Sequence, residues 1–123
     1  MGNVADSLKA AMEISGALGV ALVDHGSGMT LGTDGGGPTL DLEVGAASIT
    51  EVVRAETKTM SRLGLDDKIE DILITLGSQI HLIRLMSSEG GEGLFLYVVL
   101  DRSKANLAMA RRELQNIERG LTI

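Results

Sequence analysis

The segment IEDILITLGSQIHLIRLM, residues 69–86, reads as two β-rich runs around a short polar break. IEDILITL carries Ile69, Ile72, Ile74 and Leu76, with few charges beyond its first residues. IHLIRLM follows after GSQ, a break of hairpin length, so the two runs pair antiparallel. A second polar, glycine-rich break, SSEGGEG, leads to LFLYVVLD, which is apolar on both faces and therefore interior. Leu107, Ala110, Leu114, Ile117 and Leu121 then recur at helical spacing. They predict a last helix over 103–120, with Ser103 as its cap.

The pattern continues toward the N-terminus. ALGVALVD is apolar on both faces and reads as a central strand. HGSG follows as a hairpin turn, with Gly26 and Gly28 offering the positive φ that a tight reversal needs. Met29 and Leu31 then alternate with Thr30 and Gly32, as in a short strand nearer an edge. Val4, Leu8, Ala11 and Met12 share one helical face, which predicts an amphipathic helix over 4–15 ended by Gly16. A long helix is expected over Leu42–Leu63. Its apolar stripe is Leu42, Ala46, Ile49, Val53, Met60 and Leu63, and its wet side holds Thr50, Glu51, Arg54, Lys58 and Ser61. Beside the stripe run Gly45, Ser48, Val52, Ala55 and Thr59, mostly small, which lets another backbone approach closely. Glu56 lies within the apolar stripe and reads as a boundary carboxylate reaching out to solvent, with a charge paired at a subunit contact as the sharper alternative. The expected order is α-β-β-α-β-β-β-α in one domain over residues 1–123.

Composition narrows the functions open to such a domain. The chain is 44% hydrophobic but only 2% aromatic, so its core is aliphatic and offers no stacking platform for bases or sugars. A formal charge of −6 repels phosphate backbones, which argues against nucleic acid. The absence of cysteine removes thiolate catalysis, zinc fingers and iron–sulfur clusters. No apolar run approaches the roughly 18 residues of a spanning helix, and the first residues do not form a signal peptide. The expectation is a soluble cytoplasmic protein without membrane insertion.

DHGSGMTLGTDGGGP, residues 24–38, invites a phosphate-loop reading that its spacing refuses. A Walker loop needs a lysine after its last glycine, and here Gly37 precedes Pro38. A dinucleotide loop needs a third glycine where Leu31 stands. His25 and His81 have no partners at metal-ligand spacing. Asp66, Asp67, Glu70 and Asp71 read as a solvated acidic rim. No serine sits in a nucleophile elbow. No catalytic, cofactor-binding or metal residue is expected, and the chain does not read as an enzyme.

What the pattern does offer is surface. IEDILITL opens a hairpin and so suits a sheet edge, and an exposed apolar edge calls for a partner. The small flank of the long helix calls for one too. A second copy about a two-fold axis would satisfy both through Ile69, Asp71, Leu73 and Thr75 with Gly45, Ser48, Val52, Ala55 and Thr59. Which alternate face of the strand meets the partner is left open by the pattern.

The element order, with ALGVALVDHGSG, LGLDDKIEDILITLGSQIHLIRLM and GLFLYVVLDRSKANLAMARRELQNIE, resembles the roadblock/dynein light chain domain family, and its bacterial, actinobacterial-type members most. The resemblance covers nearly the whole chain. It implies a profilin-like α/β sandwich, a five-stranded antiparallel sheet with helices on both faces. It implies a homodimer joined through the third strand and the long helix. It also implies a non-catalytic scaffold that binds and modulates a small Ras-like GTPase, docked here on Thr50, Glu51, Arg54 and Lys58. Among Arg54, Arg62, Arg111 and Arg112, Arg54 is the least implausible arginine finger. A sensor kinase or other signalling protein stands as a further partner. A ligand- or signal-sensing module of a bacterial signalling complex is the alternative.

Overall fold

The computed structural model describes residues 3–87 and 92–121. The break expected at SSEGGEG lies largely outside the described residues. Five strands, β1 (Ala17–Asp24), β2 (Thr30–Gly35), β3 (Asp71–Thr75), β4 (Gln79–Leu85) and β5 (Leu94–Asp101), form one antiparallel sheet in the order β2-β1-β5-β4-β3. Three helices, α1 (Val4–Met12), α2 (Leu42–Leu63) and α3 (Leu107–Gly120), complete the expected order α-β-β-α-β-β-β-α.

Period-two alternation splits the strands between two cores. Val20, Leu22, Leu82, Leu96, Val98 and Leu100 face α1 and α3, where they meet Leu8, Ala11, Ala110 and Leu114. Ala21, Val23, Ile83, Phe95, Tyr97 and Val99 face α2 and meet Leu42, Ala46, Ile49 and Val53. Helices therefore cover both faces. β5 sits in the middle of the sheet because both its faces are apolar, and six of its residues are buried. β3 is an edge, as its place before a hairpin suggests.

Several expectations are corrected at element ends. α3 starts at Leu107 with Asn106 as its cap, whose side chain accepts from the Met109 N–H at 3.1 Å. Ser103 instead donates its hydroxyl to Asp101 Oδ1 at 2.7 Å, which holds the preceding residues in a turn. α1 stops at Met12, because the chain turns through residues 13–16 to enter β1. Gly28 takes the positive φ in the β1–β2 turn, at 78°, and Gly26 does not. Met29 stands outside β2 and is 70% exposed, while Leu31 is 43% exposed. The inward residue there is Gly32. A Cβ at Gly32 would come 2.9 Å from Leu8 Cδ1, so α1 packs where a side chain would stand.

The long helix departs most usefully from its wheel. Its buried residues are Leu42, Ala46, Ile49, Thr50 and Val53, none of them beyond the twelfth of its 22 positions. Beyond Val53 only Met60 is even partly covered, and Leu63 is 67% exposed. The second half of α2 is largely uncovered, although Ala55, Glu56 and Thr59 share a groove with Ile69 and Ile72, and the helix ends in a left-handed cap at Gly64 with φ 70°. Thr50 is corrected from wet to buried. It is 1% exposed, and its hydroxyl donates to the Ala46 carbonyl at 2.8 Å.

Candidate functional site

β3 keeps one row of backbone groups open. The Leu85 N–H donates to the Glu70 carbonyl and the Leu76 N–H to the Gln79 carbonyl, with Asp71–Thr75 paired in register with Ile80–Arg84 between them. Hydrogen-bonded and non-hydrogen-bonded pairs alternate along an antiparallel ladder. Glu70, Ile72, Ile74 and Leu76 therefore turn their N–H and C=O groups toward β4. Asp71, Leu73 and Thr75 turn theirs to the open edge. Side chains alternate on the other axis. Leu73 packs into the α1/α3 core, whereas Ile72 and Ile74 pack toward the α2 core. Asp71 faces α3 and holds the Arg111 guanidinium by two contacts of 2.9 and 3.2 Å.

Next to this edge lies an open groove of about 450 Å³, walled by Val52, Ala55, Glu56 and Thr59 of α2 and by Ile69, Asp71 and Ile72. The structure thus brings together Val52, Ala55, Thr59, Ile69 and Asp71 from the nine residues expected at a dimer contact. Ile69 precedes β3 rather than belonging to it. Ser48 and Thr75 are exposed, along the helix and at the strand end. Gly45 is corrected. It faces its own sheet, where an added Cβ would lie 3.0 Å from Tyr97 Oη and 3.1 Å from its Cε2. Ile72 joins the groove, a side chain the sequence flagged as edge-apolar without assigning it to the contact.

The other flank of α2 carries the remaining expected residues. Glu51 and Arg54 pair at 3.0 Å, and Lys58 is exposed. Arg54 also donates to the Gly26 carbonyl at 2.6 Å, which ties α2 to the β1–β2 turn. Its guanidinium is committed to its own chain and does not project as a free finger. Thr50 is buried beneath this surface.

The titratable groups with shifted values are scattered over the fold rather than gathered at one place. His81 lies on β4 beside Tyr97, their rings 5.6 Å apart and edge-on, and its Nε2 is 3.0 Å from Gln79 Oε1. Burial lowers the His81 imidazole from its ordinary value and raises the Tyr97 phenol. The Ser27 hydroxyl, at 2.7 Å, is the largest cause that lowers Asp24. Asp101 is lowered likewise, first by Ser103. Glu118 is a buried carboxylate that the sequence reading missed. It is 3% exposed, meets Arg84 Nε at 3.0 Å and accepts from the Ser87 N–H at 2.7 Å. Among the described residues no three His, Asp or Glu side chains converge on a metal-sized site, and no helix is long and apolar enough to cross a membrane.

No family model matches the chain, and no curated protein matches it in sequence. Solved structures do match. The Roadblock/LC7 domain from Streptomyces avermitilis superposes with a TM-score of 0.80 over 96% of this chain and 93% of that one, at 14% identity. MglB of Myxococcus xanthus gives 0.73 over 92% and 77% at 18% identity. The gliding protein MglB from Thermus thermophilus gives 0.69 over 93% and 87%, also at 18%. The chain has the roadblock fold, as the resemblance in its sequence implies.

Proposed function

We propose that this roadblock-fold chain is a homodimeric, non-catalytic platform that binds and modulates a small Ras-like GTPase in the cytoplasm. One observation carries the reading: an open strand edge lies beside an uncovered stretch of α2, so a single partner covers both. The second copy aligns its β3 antiparallel to the first. Centring the pair on Leu73 sets Asp71 against the partner's Thr75 and uses every outward backbone group, for about six hydrogen bonds. Other registers use fewer, and the one centred on Asp71 sets two carboxylates face to face. Val52, Ala55, Thr59, Ile69 and Ile72 then pack against the partner's long helix, with Ser48 further along the same flank.

The GTPase reading rests on the resemblance in the sequence and on the fold shared with MglB. Its docking surface is the other flank of the two long helices, through Glu51, Arg54 and Lys58. The test is calorimetric titration of the dimer with small Ras-like GTPases loaded with GDP or with a non-hydrolysable GTP analogue. Binding that depends on the nucleotide is expected. A folded dimer that binds none of them in either state refutes the GTPase assignment and leaves the dimer standing.

A further inference from the structure

His81 is the one ionisable side chain that β4 turns toward α2, on the face where Ile83 packs into the α2 core. Its surroundings suit the neutral ring. Nε2 lies 3.0 Å from Gln79 Oε1, an atom that only accepts, so the ring proton sits on Nε2. Nδ1 is then an acceptor, and the Tyr97 hydroxyl faces it at 3.4 Å. Tyr97 is 2% exposed, and its hydroxyl makes no other hydrogen bond among the described residues. A proton added at Nδ1 meets the phenol hydrogen head-on. The hydroxyl must then turn away into packing that offers it no acceptor, which is costly for a buried donor.

No charge nearby offsets that cost. On β5 the ring faces Tyr97 and lies opposite Val99, and on β3 it lies opposite Ile74. Asp101, opposite Gln79 on β5, is occupied by the Ser103 hydroxyl. Asp71 of β3 points to the other face, where it holds Arg111. Glu56 of α2 lines the groove beside Ile72. None of these carboxylates moves the imidazole, which burial alone lowers from its ordinary value.

Association adds to that burial. In the dimer centred on Leu73, Ile74 lies opposite the partner's Ile72. The row across the joined sheet then reads Val99, His81, Ile74 and the partner's Ile72 and Ile83, apolar on either side of the imidazole. In one copy the ring is half-buried, so a cation there keeps part of its water. Two long helices packed over the β3 seam close the groove between α2 and β3 and take that water away.

We infer that His81 makes the dimer pH-sensitive: the pair forms with both imidazoles neutral, and protonation of His81 drives it apart. The inference rests on the dimer of the proposed function and not on its GTPase. Its sign follows from linkage. The dimer binds fewer protons than two separate copies, so its dissociation constant rises as pH falls through the single copy's His81 midpoint. Two sites limit the rise to about hundredfold per pH unit.

Sedimentation equilibrium of the whole protein at about pH 7.5 and about pH 5.5 is the test, a range in which ordinary carboxylates stay ionised. The dissociation constant should rise about tenfold or more, with urea midpoints showing that the copies stay folded. His81→Gln, neutral throughout, should flatten the dependence, and His25→Gln in the β1–β2 turn should leave it intact. The proton resonance on His81 Cε1 gives a second readout on unaltered His81. It should titrate at lower pH in the dimer than in Thr75→Pro, which loses an outward N–H of the β3 edge. A dimer equally tight at both pH values overturns the inference, as does a dependence that survives His81→Gln. Equal His81 midpoints in dimer and separated copies overturn it even where His81→Gln does not fold. A parent that is monomeric at every pH refutes the dimer itself, and the switch with it.

Discussion

Replacing Thr75 by proline separates the fold of this chain from its association. The Thr75 side chain is exposed and its N–H points away from β4, since the neighbouring Leu76 N–H makes the inward bond to Gln79. Proline fixes φ near −65° and removes the N–H, and it is tolerated on edge strands where that N–H faces solvent. Within one copy no ladder bond is lost, so the cost is expected below about 1 kcal/mol. In the dimer centred on Leu73 each Thr75 N–H meets the partner's Asp71 carbonyl, twice by symmetry. Two carbonyls are left facing proline rings, at about 1–3 kcal/mol each. The sum of roughly 2–6 kcal/mol raises the dissociation constant at least about thirtyfold. Sedimentation across a concentration series gives the dissociation constant, and urea denaturation gives the stability of the fold. Ile74→Pro is the control, because its N–H faces β4 opposite His81. It should unfold the chain at far lower urea. A Thr75→Pro protein that dimerises like the parent refutes the edge-pairing argument outright.

Three further outcomes follow from the geometry. Ala55→Arg should dissociate the dimer, since it places a long cation in the groove between α2 and β3, and light scattering would report a monomer mass. Gly45→Ala should leave dimerisation alone and lower stability by about 1 kcal/mol. The helix gains from alanine, but the new Cβ presses on a Tyr97 ring that is 2% exposed and cannot move aside. A stabilised variant or a dissociated one would each contradict the placement of Gly45. Burial lowers the His81 pKa, so between its ordinary value near 6.5 and its lower folded value the unfolded chain binds more protons. Stability should therefore fall as pH drops from about 6.5 toward the carboxylate range, and His81→Phe should flatten that slope in urea midpoints.

Element type and order were legible because burial writes its period into the residues. LFLYVVLD is apolar at every position but the last, and only a strand covered on both faces needs that; it is the centre of the sheet. Caps were less legible. Ser103 and Asn106 both suit a helix start, and the choice went to Asn106 because Asp101, the end of β5, holds Ser103 in the preceding turn. The wheel of α2 placed Thr50 on the wet side. It could not know that the β1–β2 turn would close over that residue, with Gly28 packed against its side chain. Glu118 was invisible for a related reason: its acceptor role depends on Arg84 and Ser87, 34 and 31 residues away.

From the residues alone came the strand and helix order, the aliphatic core, the antiparallel sheet and the candidate edge at β3. These follow from local periodicity, which each segment carries by itself. Only the tertiary structure decided that the second half of α2 is left largely uncovered, that its small flank divides at Gly45, and that Ile72 rather than Leu73 faces the groove. Those facts depend on where one element stops covering another, and coverage is a property of the packed layers, which no single segment contains.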